Sequence, residues 1–372
     1  GFDHFFGTVC CPTTDWLYAF VDGDRIPVPP TKIVDRSGLP KHPYSRDNRP
    51  GMIAADFDLE EVDLLFLEKS KRFLRQHAKA KAGQPFFLFH SAQAVHLPSF
   101  PADQFKGKTK AGPHGDFIFE LDYVVGELLK ALEKHGFADN TLVMFSSDNG
   151  PEVPTVINMR KTHKHDGARP WRGVKRDNWE GGHRVPFIAR WPGVIAPGSK
   201  CDTPFSLVDM MATFAEIMSV ELPEDQGVDS VSILPLMQGK NGDYRGSHAI
   251  IHHSSSGRFA IRRGDWKLLL HAGSGGNGYG AGKRSSRYNG TIEQKSFKTA
   301  NRQLYNMRTD PDETTNLIEK RPEVVSELTA LAGEYVRKGR STPGPRQKTV
   351  LQSWPQLDWL PKKPTNFRPE KP

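Results

Sequence analysis

Phe117, Leu121, Val124, Val125, Leu128, Leu129 and Leu132 recur at helical spacing, Gly136 stands where such a helix would be capped, and the short apolar run 141–145 follows at once. A long amphipathic helix feeding a brief buried strand is one half of an alternating unit. The same order appears earlier: Val62, Leu65, Phe66, Phe73 and Leu74 mark a helix, residues 83–85 break it, and Phe86-Phe87-Leu88-Phe89 reads as a buried strand. It appears again downstream, where a strand-like run from Val185 to Trp191 precedes a helical segment from Leu207 to Met218. Alternation of this kind predicts an α/β fold with a mostly parallel sheet sandwiched by helices.

After about Gly239 the pattern changes to short strand-like pieces, 248–252, 259–262 and 266–270, and a final helix over about 323–337. The reading is therefore a large α/β domain over 1–240, a small α+β domain over 241–340 and an extended Pro-rich tail over 341–372. Residues 1–50, rich in Pro, Gly and short polar side chains, read as surface loops. Residues 271–302 are rich in Gly, Ser, Lys and Arg, and read either as a flexible basic loop or as a polyanion contact.

Composition limits the partners more than the fold. No apolar run approaches the roughly 20 residues of a membrane helix. Only Cys10, Cys11 and Cys201 occur, an odd number without metal-ligand spacing, so disulfides are not expected to hold the chain together. A net charge of +8 favours anionic partners: sulfated or phosphorylated small molecules, acidic polysaccharide or nucleic acid. Charge alone does not choose among them.

In sheets of this class ligands bind at the carboxyl ends of strands. Asp148 and Asn149 fall directly after the strand that ends near Phe145, and His96 lies a few residues past 86–89. Asp-Asn-Gly is a common turn, because both side chains bond local backbone. Two adjacent oxygen donors also suit a hard cation such as calcium, whereas zinc would prefer nitrogen or sulfur. Lys175, in a Gly-bearing loop between bulky residues, either faces water or supplies a point charge to an oxyanion. His96 is either satisfied by backbone or poised to give a proton to a leaving group. The basic loop 160–169, with His163, His165 and Arg169, reads equally as solvated or as the mouth of an anion site.

Order and spacing change the weight of these signals. The segment ending in His96, Ser147-Asp148-Asn149-Gly150, Arg172-Gly173-Val174-Lys175 and Glu180-Gly181-Gly182-His183-Arg184-Val185-Pro186 occur in one succession. In that succession the chain resembles the type I, formylglycine-dependent sulfatases of the alkaline phosphatase-like superfamily. Gly1-Phe2-Asp3-His4-Phe5-Phe6-Gly7, Leu304-Tyr305-Asn306 and the run from Asp310 to Leu317 resemble further family segments. The resemblance implies that Asp148 and Asn149 bind calcium, that Lys175 contacts the sulfate and that His96 contacts the bridging oxygen. It implies a sulfated small molecule or glycan as partner, with neither nucleic acid nor membrane, and a periplasmic or secreted protein.

The family nucleophile is a Cys in a C-x-P-S-R or similar motif, oxidised to formylglycine, and an Asp pair completes the calcium site. Cys10-Cys11-Pro12-Thr13-Thr14 imitates that motif but lacks its Arg and follows the segment that the motif should precede. Both the formylglycine and the Asp pair are therefore expected upstream of Gly1, and the fragment as it stands is expected to be inactive. Two alternatives remain: a phosphoester or phosphonoester hydrolase of the same superfamily, against which Asn149 stands, and a non-catalytic binder of sulfated glycans.

Overall fold

The computed structural model describes residues 1–360 apart from 15, 43–44, 46–47, 82, 241–248, 278–300 and 349–353. The chain divides into two compact units, Gly1–Thr141 with Glu152–Gly167, and Leu142–Pro151 with Ala168–Pro372.

The first unit contains five two-residue strands, β1 (Phe6–Gly7), β2 (Leu17–Tyr18), β3 (Val21–Asp22), β4 (Lys32–Ile33) and β5 (Met52–Ile53), and the helices α1 (Val62–Ala80), α2 (Gly112–Lys134) and α3 (Val153–Asn158). Residues 1–50 are more than surface loops. Tyr18, Ala19, Phe20 and Val34 join Ala54, Phe57, Leu59, Val62 and Phe100 in one buried apolar cluster. Strands two residues long carry no readable period, which is why the sequence gives no sign of this core.

Helix α1 buries a face at 63, 67, 70, 74 and 77, and three of those positions are polar. Each has a partner on the segment that follows: Asp63 accepts from the amides of Gln93 and Ala94, Ser70 bonds the His90 ring, and His77 bonds the carbonyl of Gln84. A buried polar group is tolerated only when bonded, so this face fixes the course of 84–94. That course differs from the expected buried strand. Residues 86–89 pair with no strand among the described residues, and Phe87 and Phe89 are exposed by 57% and 70%. Helix α2 buries Phe117, Val124 and Leu132 of its sequence stripe and half-buries Leu121, Val125 and Leu128, while Leu129 is exposed. It ends in a left-handed glycine turn: Gly136 has φ +75°, its amide bonds Glu133, and the amide of Phe137 bonds Leu132.

The second unit contains β6 (Val143–Ser146), α4 (Glu180–His183), β7 (Phe187–Arg190), α5 (Met210–Ile217), α6 (Leu234–Met237), β8 (Ile250–His253), β9 (Phe259–Arg263), β10 (Trp266–Leu269), β11 (Gln303–Asn306) and α7 (Pro322–Lys338). Strands β6 and β7 pair antiparallel, from Val143 opposite Arg190 to Ser146 opposite Phe187. A four-stranded antiparallel sheet runs in the order β11-β10-β9-β8. Ala249, Ile261, Leu268 and Leu304 from this region pack against Leu328 and Ala332 of α7. Trp359 joins the same core with Leu357 and Leu360 beside it, so the Pro-rich stretch after 341, expected to be an extended arm, is packed at these three residues.

The α/β composition agrees with the expectation, but the pairing does not. Among the described strands only β2 and β5 pair in parallel. Apolar runs announce strands, whereas direction depends on neighbours that a period does not name. No helix among the described residues is long and apolar enough to cross a membrane. None of the three cysteines is in a disulfide.

Candidate active site

In the second unit the ladder of β6 ends at Ser146, whose hydroxyl donates to the carbonyl of Pro186, and the chain turns through Ser147, Asp148, Asn149 and Gly150. Asp148 is exposed and Asn149 half-buried, and the Asn149 amide lies 2.8 Å from Asp148 Oδ1. After the turn the chain runs beside two other segments. The amide of Gly150 donates to Gly182 at 3.0 Å, that of Lys175 to Pro151 at 2.9 Å, and that of Gly181 to Arg172 at 2.6 Å. Such an approach tolerates no side chain. A Cβ on Gly150 would lie 1.8 Å from the Gly181 carbonyl oxygen, and one on Gly181 would lie 2.3 Å from that of Gly173. The glycines of the turn, the lysine loop and α4 thus allow three backbones to bond directly, so the segment that carries Asp148 and Asn149 and the one that carries Lys175 are neighbours.

Helix α4, bonded to the lysine loop through Gly181 and Arg172, carries one end of a buried charge cluster. Glu180, Lys267 and Glu313 are all buried, with Lys267 Nζ 2.9 Å from Glu180 and 2.8 Å from Glu313. Arg184 and Arg262 each reach Glu180 Oε2 at 3.1 Å. Burial pushes both carboxyls up; for Glu180 the neighbouring cations, Lys267 first and Arg262 after it, overcome it and hold the group well below the usual range. Burial dominates at Glu313, which Lys267 offsets only in part. His183 is pushed down to about 4 by burial and then by Lys267, so it is neutral, and its Nε2–H donates to the carbonyl of Asn178 at 2.9 Å. Arg172 packs over the Trp179 ring and donates to Tyr305 and to the carbonyl of Glu313. It is a strut of this unit, and Lys175 and Arg176 are half-buried cations of the loop.

Sequence reasoning missed Lys267, Glu313, Asp177 and Asn277. Asp177 accepts from the amides of Val174 and Asn277 and from the Asn277 side chain. None of the three charged residues stood out in the sequence, because Asp177 follows Lys175 and Arg176, Glu313 follows Asp312 and Lys267 lies two residues past Asp265, so each reads as one of a local group of charges. Residues 271–277, expected to be part of a flexible loop, are instead docked, with His271, Ser274 and Asn277 buried. Residues 278–300 of that loop lie outside the described residues.

His96, His163 and His165 belong to the first unit. His96 is exposed, its amide bonds Gln93, and its Nδ1–H donates to the carbonyl of Leu97, which leaves Nε2 as the nitrogen for exchange with a ligand. Asp63, 2% exposed, fixes the same loop through Gln93 and Ala94, and burial pushes its carboxyl up to about 6 against the pull of those two amides. Leu97 packs on Met159, which opens the wide turn Met159–His163, and His163 Nδ1 lies 3.1 Å from the carbonyl of Lys110. The His96 and His163 segments therefore share a core. His165 is exposed, and Arg169 is an exposed residue of the second unit.

The donor pair Asp148 and Asn149 fits calcium in kind, since both offer oxygen once the amide is turned, a choice of orientation that a carboxamide permits. In number they supply two of the roughly six to eight oxygens such an ion takes. Among the described residues no cluster of three His, Cys, Asp or Glu is placed to hold a metal.

The sequence model of the family described as Sulfatase matches residues 1–220. An N-acetylgalactosamine-6-O-sulfatase of Bacteroides thetaiotaomicron is 32% identical over 275 residues, 73% of this chain and 50% of that protein. Human steryl-sulfatase is 39% identical over 170 residues, 45% of this chain and 28% of that protein. The matches thus span half or less of these curated relatives' lengths. A solved sulfatase from a Bacteroides thetaiotaomicron locus for glycosaminoglycan metabolism superimposes with a TM-score of 0.69 at 26% identity, over 90% of this chain and 72% of that one. The PsFucS1 sulfatase of Pseudoalteromonas sp. gives a TM-score of 0.60 at 26% identity, over 75% and 53%. The fold is therefore the alkaline phosphatase-like α/β fold of the sulfatases, and with a family match across more than half its length the chain belongs to the sulfatase family.

Proposed function

We propose that the protein containing this chain hydrolyses sulfate esters, ROSO3⁻ and water giving ROH and hydrogen sulfate. The observation that supports the reading is the main-chain bonding of the Asp148-Asn149-Gly150-Pro151 turn to the Lys175 loop and to α4, which joins the backbone of an oxygen-donor turn to that of a cation-bearing loop. Asp148 and Asn149 would hold calcium, which when bound supplies positive charge to the sulfate oxygens. Lys175 adds a point charge on the same oxygens, where charge grows on the way to the transition state. His96, through Nε2, donates to the bridging oxygen as the alcohol departs. The formylglycine nucleophile and the Asp pair that this reading requires are assigned to none of the residues of this chain, and Cys10 and Cys11 take no part in it.

The substrate class we infer is a sulfated carbohydrate. The charge of +8, His163, His165 and Arg169 suit a polyanion, and a relative matched over 73% of this chain is named for a sulfated sugar. A periplasmic or secreted location follows from the same reading, since such glycans lie outside the cytoplasm. The test is release of inorganic sulfate or phosphate by the full-length protein from the 6-sulfate and 6-phosphate of one N-acetylhexosamine. Sulfate release at the higher rate supports the reading; preferential phosphate release moves the protein to the phosphoester hydrolases.

A further inference from the structure

The loop that carries Lys175 is gripped from a distant stretch of the same unit. Asn277 Nδ2 donates to the carbonyl of Lys175 at 2.9 Å and to Asp177 Oδ1 at 2.9 Å, and the Asn277 amide donates to that oxygen at 3.1 Å. Asp177 in turn accepts from the amide of Val174 at 3.1 Å. Nearby, the amide of Asn178 bonds the carbonyl of Ser274, and the amide of Ser255 bonds that of Arg176. Gly276 lies so close that a Cβ there would sit 1.9 Å from the Arg176 oxygen. Asp177, Asn178, Ser274 and Asn277 are 2%, 0%, 1% and 5% exposed, so the grip is a built contact rather than a brush between surface loops.

A lysine reaches its target on a four-carbon stem, and the fold controls that reach chiefly through the backbone from which the stem springs. We propose that Asn277 is a positioning residue for Lys175, its side-chain amide joining the Lys175 carbonyl to the Asp177 carboxylate and so fixing the loop from which the ammonium meets a sulfate oxygen. The proposal rests on the sulfatase reading of Lys175. The chemistry asks for asparagine. Both contacts of Nδ2 are with acceptors, which fixes the amide's orientation, and an amide nitrogen of this length supplies two donors without charge. Aspartate, of equal size, offers acceptors only and would face the Asp177 carboxylate across the same gap.

The experiment is a double-mutant cycle in the full-length protein, read by sulfate-ester kinetics and by amide hydrogen exchange. Asn277→Ala and Asn277→Asp are each expected to lower kcat/KM by about 10- to 100-fold, the scale of a misplaced contact group. In a Lys175→Ala background the same changes are expected to cost less than about 3-fold, because a residue that acts through Lys175 has nothing left to position. Exchange should quicken at the amides of Val174 and Lys175 and stay unchanged in β9 and β10. Losses that multiply in full on the Lys175→Ala background overturn the proposal, as does unchanged exchange at Val174 and Lys175. If the wild-type protein cleaves no sulfate ester, the sulfatase reading falls by itself, and the exchange arm alone upholds or overturns the grip of Asn277 on the loop.

Discussion

The main-chain amide of Lys175 donates to the carbonyl of Pro151 at 2.9 Å, one residue past the Asp148-Asn149-Gly150 turn. A loop that carries a cation and a turn that carries two oxygen donors are thereby parts of one backbone arrangement. With the bonds from Gly150 to Gly182 and from Gly181 to Arg172, the arrangement needs glycine where backbones meet.

Gly150→Ala tests that requirement. A methyl group 1.8 Å from the Gly181 oxygen must displace backbone, not a flexible side chain. The expected cost is on the order of 3 kcal/mol, the upper range for overpacking, read as a lower urea midpoint with an unchanged slope. A midpoint equal to that of the wild type would show that the turn and α4 are not in contact.

Lys267 lies between Glu180 and Glu313 with no exposed surface. Lys267→Met leaves two buried carboxyls without their shared cation, and a loss of about 3–5 kcal/mol is expected in chemical denaturation. Adding Glu313→Gln should recover part of it, because Glu180 keeps Arg184 and Arg262 while the other carboxyl left without Lys267 is then gone. Equal stability of the single and double variants would contradict the ion-pair account.

Asp63 and His183 should tilt the pH dependence of stability in opposite directions. Asp63 is raised to about 6, so between about pH 4 and 6 the native state holds a proton that the unfolded chain has released, and its contribution is lost as pH rises through that window. His183 is lowered to about 4, so between about 4 and 6.5 the unfolded chain binds the extra proton, and stability rises with pH. Asp63→Asn should make the slope of unfolding free energy against pH more positive, and His183→Gln more negative, each by up to about 1.4 kcal/mol per pH unit. Denaturation series at half-unit pH steps supply the slopes; a change of the wrong sign in either variant rejects the burial argument for that group.

His96 is expected to matter in proportion to the difficulty of expelling the alcohol. His96→Ala should cost about 100-fold or more on a sulfated sugar and far less on a nitrophenyl sulfate, whose leaving group departs without a proton. A loss of the same size on both substrates would remove His96 from the role of proton donor.

Much of the framework was legible. The stripe of α2, its end at Gly136, the strands near 143–146 and 259–269 and the helix near 322–338 all followed from period and capping, since these depend on residues close in sequence. Residues 86–89 did not follow. Their composition states that a strand wants cover on both faces, whereas pairing depends on a neighbour, and Phe87 and Phe89 are exposed. Lys267 was equally illegible. A lysine between Trp266 and Leu268 reads as a solvent-facing position, and it is buried only because Glu180 and Glu313 arrive from distant parts of the chain. Asp148, Asn149 and Lys175 stood out through their order along the chain, but the segment that grips the lysine loop, with Asn277 at its end, read as flexible because glycine and serine carry no apolar period.

The most direct measurement is kcat/KM of the full-length protein and its Lys175→Ala variant on a sulfate and a phosphate monoester of the same alcohol. The account predicts a preference for sulfate and a fall of about 100- to 1,000-fold in that activity when Lys175 is lost, the cost of removing one preorganised charge from an oxyanion. A preference for phosphate, or sulfate hydrolysis that survives Lys175→Ala undiminished, would contradict it.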